Sequence, residues 1–132
     1  MTERRASCFC SALSAVARGE PARVSVCHCG ACKRRTGSAF SYNATYAEEQ
    51  VEASGPSKSF RRIGDEGYWG EFQFCPECAC TVVYRIERRP GMVTIPVGAF
   101  ADPDFPEPRI SVYGDLRHKW CVFETEEPVI EG

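Results

Sequence analysis

The chain has 132 residues, of which 43% are hydrophobic and 26% are charged, values that suit one ordinary globular domain with little room for a second core. No apolar run approaches the roughly 18 residues that span a bilayer, which argues against a transmembrane helix. With 16 Lys and Arg against 18 Asp and Glu the formal charge is −2, so we expect no nucleic-acid partner and predict that the arginine pairs at 34–35, 61–62 and 88–89 are solvated surface.

The N-terminal segment weakly resembles a signal peptide. "MTERR" is basic, and Ala15-Val16-Ala17 has the small residues of a cleavage site. The stretch between them carries three serines and two cysteines and is only weakly hydrophobic. Cleavage there would also remove Cys8 and Cys10, so we expect a cytoplasmic protein.

Short β-strands are predicted along the chain, separated by turns rich in Gly, Pro and Asp. The candidates lie at residues 12–18, 24–27, 40–46, 58–63, 92–97 and 110–113. Two further segments show the two-residue alternation of half-buried strands, with Phe72 and Phe74 opposite Glu71 and Gln73, and Val82, Tyr84 and Ile86 opposite Val83, Arg85 and Glu87. "GACKRRTG" alone is typical of a helical turn, with Gly37 as its C-cap. These patterns predict a mainly β fold with a single short helical turn.

The cysteines form short-spaced groups. The chain has nine, an odd number that a fully paired disulfide framework cannot use. They occur as Cys8-x-Cys10, Cys27-x-Cys29-x-x-Cys32, Cys75-x-x-Cys78-x-Cys80 and a lone Cys121. Such spacings let neighbouring thiolates converge on one ion, and we predict zinc. The alternative is a secreted domain held by disulfides.

The spacing also limits which residues are ligands. Residues two apart on a strand share a face, so Cys27 and Cys29 point one way and His28 points the other, which favours a hydrogen-bonded packing histidine over a ligand. His118 stays unassigned. Two zinc ions need up to eight ligands, and spacing does not decide which groups pair. A two-plus-two pairing would give a closed structural site and leave a three-thiolate cluster with one open position.

Five segments in this order resemble the family of glutathione-dependent formaldehyde-activating enzymes, which includes centromere protein V: "SCFCSA", "CHCGACKRRTGSAF", "FCPECACTVV", "VGAFADPDF" and "HKW". The resemblance spans residues 7–120. It implies that residues 1–132 form a single zinc-binding domain with a β-tent fold, built of small antiparallel sheets that zinc stabilises. It further implies two zinc ions, a structural one held by Cys8, Cys10, Cys75 and Cys78 and a catalytic one held by Cys27, Cys29 and Cys32.

The sequence departs from the family pattern beside both structural knuckles. Ser11 follows Cys8-x-Cys10 where the family usually has Gly, which predicts a turn that needs no positive φ. Ala79 and Cys80 replace a Gly followed by Ser or Thr. We expect Cys80 to be a small buried hydrophobic residue rather than an alternative ligand, and Cys121 to be a packing residue.

An open three-thiolate zinc would suit thiol chemistry. Its thiolates make it a weak Lewis acid for water but a good partner for a soft fourth ligand, such as a substrate thiol. The hypothesis is a carbon–sulfur lyase that adds a thiol, most plausibly glutathione, to formaldehyde or another small aldehyde, or catalyses the reverse. Thr36, Gly37 and Ser38 are candidate contacts of the thiol substrate, through backbone N–H groups and hydroxyls. Trp120 is expected to cover the core rather than line a pocket.

Two other functional classes fit the cysteines. The first is a zinc-stabilised binding module without catalysis. The second is a thiol-redox protein, suggested by Cys75-x-x-Cys78 and the additional thiols. The oligomeric state is not predicted by any feature of the sequence.

Overall fold

The computed structural model describes residues 1–123. In that range there are ten strands and one α-helix. They are β1 (Glu3–Ser7), β2 (Ser14–Arg18), β3 (Arg23–Cys27), α1 (Gly30–Thr36), β4 (Ser41–Ala47), β5 (Val51–Ser54), β6 (Lys58–Ile63), β7 (Trp69–Phe74), β8 (Thr81–Ile86), β9 (Met92–Pro96) and β10 (Ile110–Val112). Short 3-10 turns lie at Glu48–Gln50, Val97–Phe100 and Gly114–Leu116.

The strands form two sheets. A three-stranded sheet has the order β1-β2-β5, and a seven-stranded sheet has the order β10-β3-β4-β9-β8-β7-β6. β10 runs parallel to β3, so the larger sheet is mixed, whereas the resemblance implied small antiparallel sheets. The predictions of a mainly β fold and of a single short helix are confirmed for the described residues.

All eight predicted strands are present, with ends shifted by at most two residues. The segment predicted at 58–63 coincides with β6. Two strands were not predicted. β1 lies inside the signal-like segment, and Ala6 is its only buried residue. β5 is exposed over most of its length. Neither strand has the apolar alternation on which the prediction depends.

The two sheets share one hydrophobic core. The small sheet contributes alanines to it, and the large sheet contributes bulkier residues from its central strands β4, β8 and β9. The central members are Ala6, Ala15, Ala17, Ala44, Tyr46, Val83, Val93 and Ile95. The large sheet therefore uses one face for packing, and its other face is left to form a cavity.

The predicted alternation in β8 is wrong at its first residues. Val82 and Val83 are both buried, with exposed fractions of 0% and 4%, although the pattern placed them on opposite faces. The pairing of β7 with β8 shifts register between Gln73 and Phe74, which pair with Val83 and Thr81. Val82 is the extra residue of this irregularity, and a bulge of this kind interrupts the strict two-residue period.

Candidate metal centres and the adjoining cavity

Four cysteines from two hairpin turns meet at one point. Cys8 and Cys10 lie between β1 and β2, and Cys75 and Cys78 lie between β7 and β8. Their four sulfur atoms all lie within 4.8 Å of one another. The Cys8–Cys10 and Cys10–Cys75 sulfur distances are 3.7 and 3.6 Å. A tetrahedral ion with Zn–S bonds of about 2.3 Å requires sulfurs about 3.8 Å apart, so the quartet fits zinc.

The two turns of the quartet use the same hydrogen-bonding scheme. In the first, the N–H of Cys8 donates to the carbonyl of Leu13, and the N–H of Leu13 donates to the sulfur of Cys8 at 3.2 Å. In the second, the N–H of Cys75 donates to the carbonyl of Cys80 at 3.0 Å. Backbone N–H groups of Cys80 and Cys10 lower the pKa of the Cys78 thiol to about 6. The backbone thus stabilises thiolates in the arrangement that a cation needs.

Both turns also contain a residue with positive φ that is not glycine. Ser11 has φ 72° and Ala79 has φ 66°. The expectation that the Ser11 turn needs no positive φ is therefore wrong. The N–H of Ser11 donates to the carbonyl of Cys8 at 3.1 Å, and the N–H of Ala79 donates to the carbonyl of Cys75 at 2.8 Å. These short turns close only with a left-handed residue after the second cysteine, whatever its side chain.

Three further cysteines form a second cluster. Cys27 ends β3, Cys29 is the N-cap of α1, and Cys32 lies in the first turn of that helix. Their sulfur atoms also lie within 4.8 Å of one another. Hydrogen bonds from the thiols of Cys27 and Cys32 lower the pKa of the Cys29 thiol to about 2. Hydrogen bonds with Cys29 and Cys32 raise the pKa of the Cys27 thiol. Three soft sulfur donors in contact, one of them readily ionised, are a donor set that suits zinc.

The cluster of Cys27, Cys29 and Cys32, called the trio below, borders a large cavity. The four-cysteine cluster, called the quartet, does not. The cavity has a volume of about 880 Å³ and is lined by side chains from one face of the seven-stranded sheet, by α1 and by the segment after β10. Cys27, Cys29 and Cys32 all line it, whereas none of the four quartet cysteines does. A volume of this size is typical of sites for small molecules of some tens of atoms. A ligand in the cavity would therefore meet the trio.

Arginines converge on this cavity. The prediction that the arginine pairs are solvated surface is confirmed in part, because Arg34, Arg61, Arg62 and Arg88 are exposed, whereas Arg35 and Arg89 are half-buried. Six arginines line the cavity, and they come from β3, α1, β6 and the turn after β8: Arg23, Arg34, Arg35, Arg62, Arg88 and Arg89. No Asp, Glu or Lys among residues 1–123 lines the cavity. Only Arg61 of the predicted pairs faces elsewhere, and it forms an ion pair with Glu71 at 2.9 Å.

Aromatic rings hold part of this positive charge. The guanidinium carbon of Arg35 lies 5.1 Å from the centre of the Phe72 ring and 4.9 Å from that of Tyr84. The Tyr84 hydroxyl donates a hydrogen bond of 2.8 Å to Oδ1 of Asn43, whose amide donates to the hydroxyl of Ser41. Burial raises the pKa of Tyr84. The two rings fix the direction in which Arg35 points, and the hydrogen-bond chain ties the Tyr84 hydroxyl to β4.

The structure does not bring Thr36, Gly37 and Ser38 to the cavity. The Thr36 hydroxyl donates a hydrogen bond to the carbonyl of Cys32 at 2.8 Å and accepts one from the N–H of Ser38. The N–H of Gly37 donates to the carbonyl of Lys33. Gly37 has φ 68° and is the C-cap of α1, as predicted. Because these donors already cap the helix, the segment is a structural turn in this state of the protein. A contact between this turn and the thiol substrate stays a prediction.

The remaining assigned residues lie outside the cavity. His28 is fully buried, and its Nε2 lies 3.2 Å from the Ser111 hydroxyl, in agreement with the packing role. Cys121 is buried, as expected. Cys80 is half-buried and packs against the core. Trp120 is 73% exposed, so the expectation that it covers the core is wrong. The centres of the His118 and Trp120 rings lie 5.8 Å apart.

Sequence reasoning missed the arginines, although one signal was available. Arg23, Ser25 and Cys27 are two residues apart on β3, so all three face the cavity. The same alternation that was used to orient His28 away from the trio would have placed Arg23 on the same side as Cys27. For the arginines of α1 and β6, no local pattern distinguishes a cavity wall from a solvated surface.

The fold and the two cysteine clusters define a mainly β protein with two sites that could hold metal ions. The family model for the glutathione-dependent formaldehyde-activating enzyme matches residues 3–115, and the chain belongs to this family. A crystal structure of a Rhodobacter sphaeroides protein is similar, with a TM-score of 0.56 and 17% identity over 80% of this chain and 92% of that chain; this likeness concerns the fold alone. A comparison with curated proteins finds no match. Within residues 1–123, no helix has the length and apolar character to cross a membrane.

Proposed function

We propose that this chain is a zinc-dependent enzyme of the carbon–sulfur lyase type. It adds the thiol of glutathione, or of another small thiol, to formaldehyde or another small aldehyde, and it catalyses the reverse cleavage. In the forward direction a carbon–sulfur bond forms, and the proton that leaves the thiol balances the one that the carbonyl oxygen takes up. Nothing is oxidised or reduced, so no further reactant is needed. Family membership supports this class of reaction.

One observation carries the proposal: the three-cysteine cluster lines the cavity, and the four-cysteine cluster lies outside it. A set of four thiolates saturates a tetrahedral ion, whereas a set of three leaves one position for a ligand. We therefore assign Cys8, Cys10, Cys75 and Cys78 to a structural zinc, and Cys27, Cys29 and Cys32 to a catalytic zinc. When bound at the trio, zinc would favour the ionised form of a substrate thiol and keep its sulfur nucleophilic.

The residues around the trio bind and orient the substrate. Arg35, fixed between the rings of Phe72 and Tyr84, is suited to bind a carboxylate of the thiol substrate by two parallel hydrogen bonds. Arg23 lies on the same strand face as Cys27 and supplies a second positive charge near the reacting sulfur. Holding the thiol substrate at its anionic groups would place its sulfur beside the trio and lower the entropic cost of meeting the aldehyde.

The test is the variant Cys32→Ser, with Cys121→Ser as the matched control because Cys121 is buried outside both clusters. Zinc content is measured on purified protein, and turnover is followed with glutathione and formaldehyde. We expect Cys32→Ser to lose one of two zinc ions and to lower turnover by about a hundredfold or more, since even indirect supports of a metal site contribute about 10–100-fold. Full zinc content together with full turnover in this variant would contradict the proposal.

The same preparation separates the other two functional classes. A binding module with two structural ions would release both to a chelator at the same slow rate, and added thiol would not change either. A thiol-redox protein would form a Cys75–Cys78 disulfide on mild reoxidation and lose zinc as it did so. All nine cysteines, which lie within residues 1–123, are free thiols. We propose a cytoplasmic location, because the assigned zinc ligands have to stay reduced and the cytosol keeps thiols in that state.

A further inference from the structure

The cavity is far more positive than the protein as a whole. The chain carries a formal charge of −2, yet the cavity is lined by six arginines and, among residues 1–123, by no acidic side chain. Arg62 and Arg88 have acidic neighbours on the rim, with Asp65 at 3.9 Å and Glu66 at 3.4 Å. The other four, Arg23, Arg34, Arg35 and Arg89, have no carboxylate of residues 1–123 within 4.0 Å. Positive charge is therefore concentrated where a ligand would bind.

Two of these arginines repel each other. Burial lowers the pKa of Arg23, and the positive charge of Arg89 lowers it further. Arg23 is held on β3 and Arg89 on the turn after β8, so the fold itself brings the two charges together. Like charges that approach without an anion between them destabilise the free protein, and an anionic ligand between them removes this cost.

We propose that the preferred thiol substrate is polyanionic: it carries two or more carboxylate or phosphate groups and no ammonium group, and it binds more tightly than glutathione. This inference rests on the proposed function, because it names the class of thiol that reaches the trio. Arginine guanidinium groups bind both carboxylates and phosphates by paired hydrogen bonds. Glutathione has two carboxylates but also an ammonium group, and no acidic side chain of residues 1–123 lines the cavity to pair with that ammonium. A thiol without the ammonium group uses the same arginines and avoids the repulsion.

The first experiment compares two ligands, in one of which acetylation replaces the ammonium group by a neutral amide. Binding to the zinc-loaded full chain is measured by calorimetry with S-methylglutathione and N-acetyl-S-methylglutathione, whose blocked sulfur removes the thiol from the comparison. We expect the N-acetyl compound, which lacks the ammonium group, to bind about tenfold more tightly, the size of one charge-assisted contact. Its affinity should fall as salt is raised. Equal or weaker binding of the N-acetyl compound would overturn the inference.

The second experiment identifies the arginines and the source of the anionic groups. Arg23→Gln and Arg89→Gln are compared with Arg85→Gln, which removes an arginine paired with Glu48 outside the cavity. We expect each cavity variant to bind the N-acetyl compound about tenfold less tightly and the control to be unchanged. Coenzyme A is the phosphate-bearing probe, and N-acetylglutathione is the carboxylate-bearing probe. If either binds more tightly than glutathione, the result supports a polyanionic thiol and shows whether its anionic groups are phosphates or carboxylates. Unchanged affinity in both cavity variants would overturn the inference.

The results also separate this inference from the proposed function. If free thiols bind at the trio and turn over, but glutathione binds more tightly than both N-acetylglutathione and coenzyme A, the lyase proposal stands and the polyanionic class is wrong. If no free thiol binds more tightly than its S-methyl derivative, the sulfur does not reach a metal at the trio, and both proposals fail. Thermal unfolding of each variant checks that the fold is retained.

Discussion

The backbone N–H of Cys32 donates a hydrogen bond to the sulfur of Cys29 at 3.3 Å. Cys29 has extended backbone angles, φ −68° and ψ 158°, and is the N-cap of α1. A sulfur atom here takes the place that a Ser, Thr, Asp or Asn oxygen usually has at a helix start. One residue thus begins the helix and belongs to the three-cysteine cluster, so the position of the cluster is tied to the start of α1.

This double role predicts different effects for two substitutions at the same position. Cys29→Ser keeps a capping oxygen but loses the soft ligand, and Cys29→Ala loses both. In metal-free protein we expect Cys29→Ala to lower the free energy of unfolding by about 1 kcal/mol relative to Cys29→Ser. Urea unfolding in the presence of a chelator measures the difference. Both variants should lack zinc at the trio, so equal metal-free stabilities would show that the sulfur has no capping role.

The metal-ligating residues could be predicted because their signal is local. A spacing of two or three residues brings cysteines together through one turn of backbone, and this holds whatever the rest of the chain does. The orientation of His28 followed from strand geometry in the same way. The division into quartet and trio came from the family resemblance. Spacing alone does not decide whether Cys8 and Cys10 join Cys75 and Cys78, because Cys10 and Cys75 are 65 residues apart.

The arginine cavity could not be predicted in the same way, because it depends on sheet order. Arg23 on β3 and Arg89 after β8 become neighbours only through the order β3-β4-β9-β8. The bulge at Val82 likewise depends on how β8 pairs with β7. Long-range pairing of this kind leaves no mark in a short window of sequence. Charge pairs therefore look like solvated surface until the strand order is known.

The left-handed turn residues predict a gain in stability. Ser11 and Ala79 have φ 72° and 66°, where a side chain is strained and glycine is not. We expect Ser11→Gly and Ala79→Gly each to raise the free energy of unfolding by about 0.5–1 kcal/mol, the strain relieved less the added freedom of the unfolded chain. Ala53→Gly, on the exposed strand β5, is the control and should lower it by a similar amount. Urea unfolding measures all three, and a loss of stability in both turn variants would contradict the prediction.

The two clusters should release zinc at different rates. The trio lines the open cavity and would leave one position of its ion free. In the quartet Cys8 and Cys75 are buried and Cys10 is exposed, but four thiolates would saturate a tetrahedral ion. We expect a chromogenic chelator to remove one ion quickly and the second at least about tenfold more slowly, since at the quartet it must displace a thiolate before it can bind the ion. Stopped-flow absorbance follows both phases. In Cys32→Ser the fast phase should be absent and the slow phase unchanged, whereas a single phase in the unmodified protein would contradict the assignment.

The hydroxyl of Tyr84 predicts an effect on stability that is separate from substrate binding. It donates a 2.8 Å hydrogen bond to Oδ1 of Asn43, which is 6% exposed. Tyr84→Phe keeps the ring beside Arg35 but leaves that buried oxygen without its donor, at a cost of about 1–3 kcal/mol in the free energy of unfolding. Because the ring stays, we expect the KM for the thiol substrate to change by less than about twofold. Tyr68→Phe, at a ring that is 46% exposed, is the control for stability and should leave the free energy of unfolding unchanged. A large rise in KM for Tyr84→Phe with unchanged stability would instead place the hydroxyl in contact with the substrate.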